Sequence, residues 1–138
     1  MKQVTLPDFM IIDDDPVNNV IASKIIQLNI AGATIETFTE PENALDYIRA
    51  TYSGNDAKNA VVFLDINMPS LTGWQVLDVF KDFPDPVKEH VKIFMLSSSI
   101  SFSDKEKAID CSDVWGYVEK NLSQSKLQML FPDYVNQA

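Results

Sequence analysis

The sequence predicts an α/β fold: a five-stranded parallel sheet, doubly wound, with helices on both faces. Three observations lead there. Short apolar runs alternate along the chain with segments whose apolar residues recur at helical spacing. The runs are continuously apolar, as strands covered on both faces require. One of them, Val61-Val62-Phe63-Leu64, runs straight into Asp65 and is stopped by Pro69 and Gly73, which reads as a buried strand opening into a loop.

At 138 residues and 46% hydrophobic content, the chain suits one domain with a sizeable core, and no Gly/Ser-rich or Pro-rich linker divides it. No stretch approaches the roughly 20 apolar residues of a membrane span. The single cysteine, Cys111, has no internal disulfide partner, which agrees with a reducing, cytoplasmic setting. A net charge of −9, from 20 acidic and 11 basic residues, argues against nucleic-acid and anionic-membrane partners, which need Lys/Arg clusters. Metal cations and basic protein surfaces fit better.

In order, residues 9–12 form the first strand, followed by Asp13-Asp14-Asp15-Pro16. Asp15 suits an N-cap and Pro16 the first helical turn, with Val17, Ile21, Ile25 and Leu28 as the apolar stripe. Gly32 closes that helix, and residues 33–38 make the second strand. Thr39 and Glu42 suggest a capping box for a helix carrying Ala44, Leu45 and Ile48. A polar loop, 53–59, leads into the strand that ends at Asp65. The third helix carries Val76, Leu77, Phe80 and Phe83, and Pro84 and Pro86 bar its continuation. His90 then falls in the loop before a fourth strand, 92–96, ending in Ser97-Ser98-Ser99. Ser103 and Glu106 suggest a second capping box for a fourth helix with a thin apolar face, Ala108 and Ile109. Residues 115–118 give the last strand, ending near Lys120, and Leu122, Leu127, Leu130 and Phe131 mark a fifth helix that Pro132 ends.

The strand ends hold the chemistry. Asp13, Asp14 and Asp65, with the Ser97 hydroxyl and the Lys120 amine, gather at the carboxyl edge of the sheet, where open α/β folds bind their ligands. Carboxylates about 4 Å apart repel by roughly 4 kcal/mol per pair at an effective dielectric near 20, so positive charge must balance them. Oxygen donors without His or Cys select Mg²⁺ over zinc. Taken singly, the acids are also a good helix start, Ser97 an ordinary strand end, and Lys120 a surface lysine.

Four elements in order, Ile12-Asp13-Asp14-Asp15-Pro16, Phe63-Leu64-Asp65-Ile66-Asn67-Met68-Pro69 with Gly73, Met95-Leu96-Ser97-Ser98-Ser99 and Gly116-Tyr117-Val118-Glu119-Lys120, resemble the receiver domains of two-component response regulators, of the stand-alone, chemotaxis-regulator kind. The resemblance spans residues 9–131 and implies a flavodoxin-like (βα)5 fold with strand order 2-1-3-4-5. It also implies that Asp65 takes a phosphoryl group from a sensor histidine kinase or histidine phosphotransfer protein. Asp14, Asp65 and the backbone carbonyl of Asn67 would bind Mg²⁺, with Asp13 acting through water, and Lys120 would neutralise phosphoryl charge. Ser97 and Tyr117 would form the switch that biases the surface of helix four, strand five and helix five, where a downstream protein target binds. Asn67 and Ser99 would tune hydrolysis. The family acts as a phosphoprotein in signal transduction, catalysing only its own phosphorylation and dephosphorylation. Residues 1–138 are then expected to form a single receiver domain without an output domain.

One departure stands out. The family usually has Pro after this lysine, joined by a cis bond, whereas this chain has Asn121. Because a cis bond before a non-proline residue costs about 3–4 kcal/mol, the sequence predicts either a trans Lys120–Asn121 bond with a shifted loop or a strained cis one. Two other functions fit parts of the pattern. A haloacid-dehalogenase-like phosphatase would use Asp13 as nucleophile within Asp13-Asp14-Asp15, and a pseudo-receiver would bind partners without taking phosphate.

Overall fold

Five parallel strands run side by side in the order β2-β1-β3-β4-β5 in a computed structural model that describes residues 5–54, 57–98 and 101–135. The strands are β1 (Asp8–Ile12), β2 (Ile35–Phe38), β3 (Ala60–Asp65), β4 (Val91–Ser97) and β5 (Val114–Glu119). Six helices connect and follow them: α1 (Pro16–Asn29), α2 (Pro41–Thr51), α3 (Gly73–Phe80), α4 (Asp85–His90), α5 (Phe102–Asp110) and α6 (Gln124–Leu130). The expected topology is therefore present. Register brings the carboxyl ends level: Ile12 lies beside both Phe38 and Leu64, Asp65 beside Leu96, and Ser97 beside Glu119.

Alternate strand residues feed two separate cores. Met10, Ile12, Val62, Leu64, Ile93 and Met95 pack with α2, α3 and α4 through residues such as Ile48, Leu77, Phe80 and Val87. Phe9, Ile11, Phe63, Phe94 and Leu96 pack on the other side with Ala22, Ile26, Leu127 and Phe131. A large apolar side chain fully buried in this way contributes about 1.5–3 kcal/mol, so the two layers hold the sheet between them. Phe131 meets the rings of Phe9, Phe63 and Phe94 edge-on at 5.6–6.3 Å between centroids and so fastens α6 to the sheet.

Several local expectations are corrected. The stripe assigned to α1 is mostly solvent-facing, with Val17 62% and Leu28 72% exposed, while Asn19, Ala22 and Ile26 face the core. The buried face is rotated because its first residue is a polar one that hydrogen-bonds beneath the helix. Ile30, beyond the last helical residue, is the C-cap, and Gly32 (φ +79°) forms the turn that follows. α2 has no Thr39–Glu42 box; Pro41 occupies its first turn, where the missing N–H costs nothing. α3 stops at Phe80, and Phe83 packs against Phe80 from beyond the helix end. Pro84 and Pro86, expected only to stop a helix, instead start the short α4, which holds His90 at its end. The box on α5 is Ser101 with Asp104, two residues earlier than expected, and Asp104 is held there by the Trp74 indole N–H at 3.0 Å.

At the opposite edge of the sheet, the buried Tyr52 hydroxyl donates to Asp8 at 2.8 Å, and Lys58 pairs with the same carboxylate at 3.0 Å. Burial, then Asp8, push the phenol pKa upward, so it remains a donor. Tyr52→Phe is expected to cost about 1–2 kcal/mol in urea unfolding, the loss of one charge-assisted bond whose acceptor keeps a second partner.

Candidate functional site

Each strand places its last residues at one edge, and three of the four corresponding polar side chains are buried. β1 ends on Ile12, so the next residue, Asp13, is 1% exposed at the sheet edge. Its Oδ1 accepts from the Asp15 N–H at 2.9 Å and its Oδ2 meets Lys120 Nζ at 2.8 Å. Asp15 caps α1 by accepting from the Val17 N–H at 2.9 Å, which turns the acidic loop away from the sheet and leaves Asp14 exposed. Asp65 is 3% exposed at the end of β3; its Oδ1 lies 3.4 Å from Lys120 Nζ and accepts from the Asn67 N–H at 3.3 Å. Ser97, fully buried at the end of β4, accepts the Asn67 side-chain amide at 3.3 Å on its Oγ and the Lys120 backbone N–H at 2.8 Å on its carbonyl.

One lysine thus bridges two buried carboxylates. Burial would lower the Lys120 pKa, but the bond to Asp13 and the charge of Asp65 together raise it. For Asp65, burial and then the Asp13 charge outweigh Lys120 and the Asn67 N–H, pushing the carboxyl up to about 6. Its surroundings are thus short of positive charge. Carboxylate oxygens of Asp13, Asp14 and Asp65 all come within 4.8 Å of one another. Three hard oxygen donors facing one cation fit a divalent ion such as Mg²⁺. The peptide bond that carries Lys120 into Asn121 is cis, the second of the two expected states.

The structure therefore gathers Asp13, Asp14, Asp65, Asn67, Ser97 and Lys120. Tyr117 stands apart: it is 43% exposed on β5 with Lys105 Nζ 5.8 Å from its ring centroid. Ser99 lies outside the described residues. Asn19 was missed. Its buried amide donates to the Asp13 carbonyl at 3.0 Å and the Phe38 carbonyl at 3.3 Å, and its signal in the sequence was a polar residue recurring with Ala22 and Ile26 at helical spacing.

A flavodoxin-like sheet with acids and a lysine on its carboxyl edge defines a class; comparison with known proteins defines the family. The response regulator receiver domain profile matches residues 9–131, and the chain belongs to that family, the receiver domain of two-component signalling. A search of curated proteins finds no match. Among solved structures, a response regulator receiver protein from Dyadobacter fermentans is 25% identical, with a TM-score of 0.82 over 92% of this chain and 96% of that one. A two-component response regulator from Cytophaga hutchinsonii is 29% identical, with a TM-score of 0.79 over 92% and 95%. The Vibrio cholerae chemotaxis protein CheY4, 19% identical over 94% and 99% with a TM-score of 0.73, shares the fold. Receiver domains are generally signalling modules rather than enzymes, and the family match does not favour the phosphatase alternative. No helix of the described residues is long and apolar enough to cross a membrane.

Proposed function

We propose that Asp65 is the phosphoacceptor of a phosphorelay or two-component pathway. The observation that carries this reading is a buried Asp65 sharing Lys120 with Asp13, beside the exposed Asp14. An Asp65 oxygen attacks the phosphorus of a phosphohistidine, the N–P bond breaks, and the leaving imidazole nitrogen takes a proton. Asp14, Asp65 and the Asn67 carbonyl would hold Mg²⁺, with Asp13 acting through water; the ion supplies charge neutralisation for the transferring group. Lys120 supplies the second positive charge. Asp13 is a poorer nucleophile candidate because both of its oxygens are already engaged, by the Asp15 N–H and by Lys120.

The buried Ser97 hydroxyl is assigned the turn toward the new phosphoryl group, and Asn67, which bonds it, and Ser99 are assigned to hydrolysis tuning. The expected output surface corresponds to α5, β5 and α6. Ile109, Trp115, Tyr117 and Met129 are exposed there, which supports a protein target; Tyr117 is assigned the switch role with Ser97. The acidic net charge supports a protein partner over nucleic acid, and we read the chain as one cytoplasmic receiver domain.

Incubation with acetyl phosphate and Mg²⁺ followed by mass spectrometry tests the assignment. The phosphoryl mass is expected on Asp65 and is expected to vanish in Asp65→Asn. A label on Asp13 overturns the reading in favour of the phosphatase chemistry. No label, together with beryllofluoride binding no better than that of Asp65→Asn, leaves a pseudo-receiver that only binds partners.

A further inference from the structure

We infer that Asn19 is a positioning residue for the acidic site, setting the spacing of Asp14 from Asp65; the inference rests on the phosphoacceptor reading. Asn19 sits on the core face of α1 and is 3% exposed. Its Nδ2 reaches the carbonyls of Asp13 (3.0 Å) and Phe38 (3.3 Å), and the Phe38 carbonyl also accepts the Asp13 N–H at 3.0 Å. The parallel pairing of β1 with β2, whose last pair is Ile12 with Phe38, is thus carried one residue further by a side chain from the helix.

The chemistry of the partners fixes the amide's orientation. Both are carbonyls, so the nitrogen must face them, and among the described residues the buried Oδ1 has no hydrogen-bond partner. A buried acceptor left unpaired costs about 1–3 kcal/mol, a penalty that an apolar residue beside Ala22 and Ile26 would not incur. Packing alone therefore does not account for an amide at this position.

What the amide does is close the acidic loop. The Asp13 carbonyl belongs to the peptide unit that joins Asp13 to Asp14, so holding it fixes the direction in which the chain leaves toward Asp14. The Asn19 backbone N–H bonds the Asp15 carbonyl at 3.2 Å, and the Asp13 carboxylate is tied to the Asp15 N–H and Lys120. Freed from Asn19, that peptide unit can rotate, and Asp14 moves relative to Asp65.

Mg²⁺ titration by calorimetry, well below the unfolding transition, separates positioning from mere support. Asn19→Leu fills the volume but removes the donors, and Asn19→Ser, which avoids overpacking, is too short to reach both carbonyls. Mg²⁺ affinity is expected to fall about 10-fold in both, the scale for groups that orient metal ligands. In Tyr52→Phe, destabilised far from the site, it is expected to stay unchanged. If one Asn19 variant fails to fold, the other carries the same readout. Wild-type protein that binds Mg²⁺ and folded variants that bind it equally well would overturn the inference alone. Wild-type protein that neither binds Mg²⁺ nor labels at Asp65 would overturn the phosphoacceptor reading and the inference together.

Discussion

Lys120→Ala is expected to be less stable than the parent by about 3 kcal/mol near pH 8, and by less near pH 5. Lys120 is the cation between two carboxylates whose side chains are 2% and 4% exposed, and removing one partner from a buried charge cluster typically costs about 3–5 kcal/mol. The pH dependence follows from Asp65. Its carboxyl is raised from the ordinary 3.8 to about 6 by burial and by Asp13, against the opposing effect of Lys120. A raised acid contributes stability that is fully present below its unfolded pKa and is lost as pH rises through its folded pKa. Without Lys120 the folded value climbs above 6, the loss continues through neutral pH, and the gap from the parent widens.

Urea unfolding between pH 5 and 8 measures this directly. A gap that stays constant across the range would mean that Lys120 does not compensate Asp65. Under the phosphoacceptor reading, Mg²⁺ recovers part of the loss, because a ligand that binds only the folded state stabilises it by mass action.

The strand ends were legible in the sequence because a buried parallel strand announces itself as an unbroken apolar run, and the first polar residue after it must lie at the sheet edge. Asp13, Asp65 and Ser97 are such residues, and the parallel register brings them together. Helix faces were less legible. In α1 two interleaved sets, Val17/Ile21/Ile25/Leu28 and Asn19/Ala22/Ile26, both recur at helical spacing. Hydrophobicity chose the first, whereas hydrogen bonding beneath the helix selects the second. Caps failed for a related reason. Ser101-Phe102-Ser103-Asp104-Lys105-Glu106 contains two overlapping capping signals, and the Trp74 indole that holds Asp104 comes from α3, outside any local window. The proline pair around Asp85 is equally ambiguous in sequence, since proline both ends a helix and suits the first turn of the next.

Gly73→Ala carries the other large expected effect, because this glycine stands where the backbone leaving β3 at Asp65 and Ile66 passes. A Cβ at Gly73 would lie 2.8 Å from the Asp65 carbonyl oxygen, 2.8 Å from Met95 Cε and 3.0 Å from Ile66 Cα. The methionine tip can swing aside. The two backbone atoms cannot, and the Gly73 N–H is itself bonded to the Ile66 carbonyl at 2.8 Å, which keeps α3 from simply sliding away. Overpacking of this kind costs about 1–3 kcal/mol, corresponding to a melting temperature lower by roughly 3–10 °C in a domain of this size. The displacement falls on Asp65, so under the phosphoacceptor reading acetyl phosphate labelling is expected to drop at least about 10-fold even in the folded fraction, on the scale by which misplacement of about 1 Å slows a positioned reaction. Gly54→Ala is the control: a Cβ there meets nothing within 4 Å, and both stability and labelling should match the parent. If Gly73→Ala labels as fast as Gly54→Ala, the loop yields without moving Asp65, and Gly73 serves only the packing of α3.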